Sequence, residues 1–141
     1  MFRVEVLVLL FGICALASGR GRRWQSSGAL GALTCNGKPA KGVLLKLYDH
    51  DSITKNSQMA ETKTDGNGYF LLSGRAKHWT TINPRLYIYH DCNDDLPCQR
   101  RISIKINRRF VNDGIRATKL HPAGTIELSG KYPGEKRDCI H

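Results

Sequence analysis

Arg101-Ile102-Ser103-Ile104-Lys105-Ile106-Asn107 sets an isoleucine at every second position with a polar residue between each pair. A pleated strand sends successive side chains to opposite faces, so this stretch reads as a strand with one buried and one solvated side. The same period of two recurs upstream. Leu86 and Ile88, with His90 next in phase, alternate with Arg85, Tyr87 and Tyr89; Val43, Leu45 and Leu47 alternate with Leu44, Lys46 and Tyr48. Residues 30–35 form a weaker strand, and residues 125–128 add a short one through Ile126 and Leu128. Asn36-Gly37-Lys38-Pro39 predicts the turn between the strands at 30–35 and 43–48, with Gly37 free to take a positive φ. Asp65-Gly66-Asn67-Gly68 is the tightest turn signal and predicts a hairpin between residues 61–64 and 69–72. Residues 52–58 are polar and read as an exposed loop. No segment sustains apolar residues at i, i+3, i+4 and i+7. About seven strands at near-regular spacing therefore predict an all-β, antiparallel two-sheet sandwich.

The chain has 141 residues, 40% of them hydrophobic and 24% charged, which suits one folded domain and excludes wholesale disorder. That length also excludes a two-domain enzyme and a multi-pass membrane protein. Lys and Arg number 22 against 12 Asp and Glu, a formal charge of +10 that favours anionic partners without selecting one.

Residues 1–18 read as a signal peptide. Arg3 supplies the positive start, residues 4–17 are apolar apart from Glu5, and Ala15-Leu16-Ala17 offers the small-x-small cleavage pattern. The apolar run is shorter than the about 20 residues a membrane span needs. Residues 19–27 read as a basic linker and 28–141 as the domain. Arg20, Arg22 and Arg23 form an R-x-R-R sequence that secretory convertases cleave. Cleavage there would make Trp24 the N-terminus and lower the charge from +10 to +7; a solvated linker is the alternative.

Removal of the signal peptide takes Cys14 and leaves Cys35, Cys92, Cys98 and Cys139, an even set in an oxidising compartment, so two disulfides are expected. Four cysteines allow three pairings, and spacing does not choose among them. Zinc is disfavoured: Cys92 and Cys98 are too far apart for a zinc knuckle, and no histidine pair sits at ligand spacing. No metal or other cofactor is expected. No N-x-S/T sequon occurs.

Several ordered motifs carry a family resemblance. Gly31-Ala32-Leu33-Thr34-Cys35-Asn36-Gly37-Lys38-Pro39-Ala40 followed by Leu47-Tyr48-Asp49 resembles the opening of the nematode transthyretin-like family. Thr64-Asp65-Gly66-Asn67-Gly68-Tyr69-Phe70 is similar to its central hairpin, Tyr89-His90-Asp91-Cys92-Asn93 to its most distinctive motif, and Arg137-Asp138-Cys139-Ile140-His141 to its common ending. The resemblance implies a transthyretin-type sandwich of two antiparallel sheets, and secretion. It also implies a pairing of Cys35 with Cys92, which leaves Cys98 for Cys139.

The wider fold includes 5-hydroxyisourate hydrolase, which ends in Tyr-Arg-Gly-Ser; here the end is Asp138-Cys139-Ile140-His141, and no catalytic residue carries over. G-x-S-x-G, Walker and H-E-x-x-H motifs are absent, and His50, His78, His90, His121 and His141 read as surface or turn residues. The chain is expected to be a non-enzyme. Hormone transport is not implied, because it needs a tetrameric channel. Alternation turns Tyr87, Tyr89, Arg101 and Lys105 away from the core, and likewise Lys46 and Tyr48. With these strands adjacent, as the resemblance implies, the outer face mixes tyrosines with cations. Such a face suits an anionic lipid, glycan or acidic protein; a solvated face with ordinary cross-strand pairs is the plain alternative. Nucleic acid is not expected, since no nucleic-acid motif occurs. The expected function is a secreted extracellular binding or bridging module, with a carrier of a small hydrophobic ligand as the alternative.

Overall fold

The computed structural model describes residues 21–50 and 58–141. The signal peptide, Arg20 and nearly all of the polar loop read at 52–58 lie outside the described residues. The chain runs through β1 (Arg23–Cys35), β2 (Lys38–Pro39), β3 (Leu44–Asp49), β4 (Gln58–Lys63), β5 (Tyr69–His78), β6 (Pro84–His90), β7 (Gln99–Lys105), β8 (Asn112–Asp113), β9 (His121–Glu127) and β10 (Lys136–Asp138). Arg108–Phe110 forms a single 3-10 turn. One sheet is built on β1, which pairs with β2, β5, β8 and β9; the other has the order β10-β7-β6-β3-β4. Among the described residues no helix is long and apolar enough to cross a membrane.

The alternating rows fill the space between the sheets. Leu45, Leu47, Leu86, Ile88, Ile102 and Ile106 from one side meet Ala29, Leu33, Phe70, Leu72 and Leu128 from the other. Ile104 is only partly buried, packed against the edge of this cluster. Burying each large aliphatic side chain stabilises the fold by about 1.5–3 kcal/mol, so the paired faces dominate its energetics. Disulfides join Cys35 to Cys92 and Cys98 to Cys139. The first ties the two sheets together, and the second fixes the C-terminal segment beside β7.

Four local expectations change. β1 starts at Arg23 rather than near 30, and Gln25, Ser26 and Ser27 are buried, so the domain takes in most of the stretch read as linker. Polar residues with no alternation hid this strand; Gln25 is held by its own side-chain bonds to the Thr80 carbonyl and the Ile82 amide. Asn36-Gly37 turns β1 onto β2 instead of β3, with φ of 55° and 79° as a two-residue hairpin requires. β9 lies parallel to β1, the one parallel pairing among the described strands.

Asp65-Gly66-Asn67-Gly68 also makes no hairpin ladder. β4 pairs with β3 in one sheet and β5 with β1 in the other, so this turn carries the chain across the sandwich. Thr64 fixes the crossing: its hydroxyl donates to the Ala40 carbonyl and accepts from the Val43 amide. At the far side Gly68 has φ +79°, its carbonyl accepts from the Leu33 amide, and an added Cβ would collide with the Leu33 carbonyl oxygen. Gly68→Ala is expected to cost roughly 2–4 kcal/mol through left-handed strain and overpacking. Gly66→Ala, built into open space outside the left-handed region, should be neutral or stabilising by up to about 1 kcal/mol. Thermal denaturation of the two variants checks the contrast.

Candidate functional site

The outer face of the β3-β6-β7 sheet is ordered in three rows. Tyr89 sits opposite Arg101, Tyr87 lies between Lys46 and Ser103, and Arg85 lies between Tyr48 and Lys105. Pleat alternation places these side chains together because Leu86, Ile88 and Ile102 take the core side. Tyr48 and Tyr87 meet edge to face with ring centroids 5.3 Å apart, and the Arg101 guanidinium lies 4.9 Å from the centre of the Tyr87 ring. All six residues read from the sequence (Lys46, Tyr48, Tyr87, Tyr89, Arg101 and Lys105) therefore share one side of one sheet.

They do not share one environment, and two departures from expectation matter. Tyr89 is buried rather than solvent-facing, covered by the stacked His141 ring at 4.2 Å and by the Lys46 ammonium. Burial, with Tyr48 and Asp138 nearby, pushes its hydroxyl well above the usual tyrosine range. Lys46 is buried too, and its ammonium lies 3.6 Å from the Glu61 carboxylate. The cause is a strap that alternation cannot show. β10 pairs with β7, its last residue Asp138 accepts from Arg101 at 3.1 Å, and just past it Cys139 is bound to Cys98. Between the strap and the sheet a cleft of about 340 Å³ remains, lined by Tyr48, Tyr87, Arg101, Asp138 and His141 among others.

The third row is different. Arg85 and Lys105 stand directly opposite one another, an arrangement that is destabilising for like charges unless something offsets it. Neither has a carboxylate partner among the described residues. The Arg85 Nε, the Arg101 Nε and the Ser103 Oγ are buried atoms without a hydrogen-bond partner. Three unused polar groups and two like charges thus converge beside Tyr87. Sequence reading left Arg85 and Ser103 out of the site, although both share the parity of Tyr87 and Lys105; Asp138 and His141 gave no local signal at all.

Of the R-x-R-R sequence, Arg22 and Arg23 are engaged at the start of β1. Arg22 donates to the Lys77 carbonyl, and Arg23 lies 3.7 Å from Asp113. Arg23 and Trp24 pair with His78 and Lys77, so cleavage between them requires this end of β1 to leave β5. Among the described residues no group of acidic, histidine and cysteine side chains is arranged to hold a metal ion.

His90 is a further correction, being buried instead of at the surface. Its Nδ1 accepts from the Cys92 amide beside the inter-sheet disulfide. Burial first, and the Arg100 charge second, push its pKa below 6.5, against the opposing pull of Glu135, Asp91 and Asp94.

Two packed sheets, one built on β1 and one of order β10-β7-β6-β3-β4, define a sandwich domain of the transthyretin type. The family model described as "TTR-52: Transthyretin-like family" matches residues 30–107, more than half of the chain. Transthyretin-like protein 5 of Caenorhabditis elegans is 48% identical over 137 residues, covering 94% of this chain and 99% of the relative. Transthyretin-like protein 2 of the same organism is 43% identical over 126 residues, covering 84% and 85%, and transthyretin-like protein 33 is 40% identical over 143 residues, covering 100% and 99%. The chain belongs to the transthyretin-like family.

The His90 environment gives a pH prediction. Because its folded-state pKa is depressed, the unfolded chain takes up the proton first as pH falls. Its stabilisation is complete above about pH 6.5 and is lost as pH drops through the folded-state value. His121, lowered by burial and by Arg109, acts in the same direction. Melting temperatures of the native chain and of His90→Gln, measured between about pH 7.5 and 5, should show a shallower fall in the variant.

Proposed function

We propose that the chain is a secreted, non-enzymatic extracellular binding module that engages an anionic group of a partner through the Tyr87-centred face. The observation that carries this reading is the Arg85–Lys105 pair with the unpartnered Arg85 Nε, Arg101 Nε and Ser103 Oγ beside it. A carboxylate, sulfate or phosphate placed against Arg85 and Lys105 relieves the like-charge contact, and an outward turn of these side chains brings the buried Nε and Oγ groups to it. Tyr48 and Tyr87 supply flat apolar contact next to the charge. Secretion is supported by the apolar N-terminal stretch with its small-x-small site and by the two disulfides.

Charge-assisted hydrogen bonds contribute about 1.5–3 kcal/mol each, so Arg85→Glu with Lys105→Glu should weaken binding by at least roughly tenfold. Retention on heparin, on vesicles containing phosphatidylglycerol and on an immobilised polyglutamate peptide identifies the anion class. Equal retention of the native and reversed chains on all three overturns the reading, provided circular dichroism shows both folded.

The carrier reading has one observation in its favour. The outer face of the β1-β5-β9 sheet holds an open groove of about 470 Å³ lined by Leu30, Tyr69, Leu71 and Pro122. Leu71 is 62% exposed and Tyr69 60%. A hydrophobic ligand in the groove should be lost in Leu71→Asp, read as the disappearance of bound-dye fluorescence. Unchanged fluorescence would exclude the groove as a ligand site.

A further inference from the structure

The strap does more than cover the sheet. Its tip is laid out as a ligand would be. The Asp138 carboxylate accepts from Arg101 at 3.1 Å, and the His141 ring stacks on Tyr89 with planes 19° apart. The backbone before it adds to the edge of β7, with Lys136 opposite Arg101 and Asp138 opposite Gln99, which is how an extended peptide docks on a sheet. Anchoring falls on other residues: Arg137 binds Asp94 through both guanidinium nitrogens, Glu135 pairs with Arg100, and Cys139 is bonded to Cys98. Beyond that anchor Ile140 is 91% exposed, and the last two residues are held by the His141 stack and by the Asp138 carboxylate, which accepts from the Ile140 amide and lies 3.6 Å from His141 Nδ1. What can exchange is therefore the Asp138 side chain and the His141 ring, while the β10 backbone stays paired.

We propose that the Arg101–Tyr89 half of the face is a subsite for an acidic polypeptide segment, a carboxylate with a flat ring nearby, filled at rest by the chain's own Asp138 and His141. An incoming acidic segment exchanges with the tip while Cys98–Cys139 keeps the tip close. The in-cis occupant argues for a polypeptide over a sulfated glycan or a lipid headgroup, because it uses ring stacking and strand pairing together with charge. The tether gives the tip a high effective concentration, so the native chain binds competitors weakly. This inference rests on the reading of the same face as an anion-binding surface, with Arg85 and Lys105 as its open half and Arg101 as its occupied half.

The test uses the full chain and a labelled synthetic peptide Glu-Glu-Asp-Ser-Ile-His as the probe. Asp138→Asn combined with His141→Ala, with both disulfides intact, is expected to bind the probe at least about tenfold more tightly than the native chain, since an ionic competitor and a stacked ring have been removed. Adding Arg101→Glu should abolish the gain. Adding Arg85→Glu with Lys105→Glu should leave the ratio between the tip variant and its parent unchanged. A lost gain in that background ties the effect to the open half and overturns the subsite. Equal probe affinity in the native chain and the tip variant also overturns it, whatever the outcome at Arg85 and Lys105. A second measurement is independent of any ligand. Cys98→Ser with Cys139→Ser should make the Tyr89 ring accessible to iodination, whereas a ring that stays protected shows a tip that does not lift and rejects the exchange.

Discussion

The structure depends on the apposition of two pleated faces. Leu45, Leu47, Leu86, Ile88 and Ile102 must all face inward at once, and a slip of one residue in any of their strands would turn that strand's whole apolar row to water. Register is therefore fixed by burial, and the outer faces inherit their composition. Tyr87, Ser103 and Lys46 lie in one row because their neighbours in sequence are needed in the core. The composition of an outer face of this kind is a by-product of packing.

Charge on that surface is not uniform. Lys46 is met by Glu61 and Arg101 by Asp138, whereas Arg85 and Lys105 face each other. The formal charge of the chain thus overstates how much of it is available to a partner on this face. At the end of β9, in the other sheet, Glu127 shows the opposite extreme. Its carboxylate accepts from the amides of Ser129, Gly37 and Asn36, which hold its pKa down to about 2. There a single charge is wholly committed to fixing the Asn36–Gly37 turn, and it has nothing to offer a ligand.

Much of this was legible in the sequence where a property repeats at short range. The alternation in β3, β6 and β7 gave the sandwich, its core residues and the side of the sheet on which Tyr87 and Lys105 lie. What long-range contacts decide was not legible. Tyr89 and Lys46 have the parity of exposed residues and are buried, because a strap from the other end of the chain and Glu61 from a neighbouring strand cover them. The Asp65–Gly68 turn has hairpin chemistry, yet its flanking strands find partners in different sheets, a choice made by β1 and β3. The first half of β1 buries Gln25, Ser26 and Ser27; Gln25 and Ser27 are satisfied by groups at positions 80, 82 and 110, and no local pattern announces such partners.

The parallel pairing of β9 with β1 has a consequence for how the chain is made. The sheet containing β3, β4, β6 and β7 is assembled from strands that follow one another closely and can join as they emerge. β1 is synthesised first but receives β9 only after about ninety further residues, a closure that topology makes slow. Until then one long edge of β1 stands open, its amides and carbonyls available to any extended chain nearby. In a nascent polypeptide of this design that edge is covered only when the last third of the chain, which carries β8 and β9, has been made.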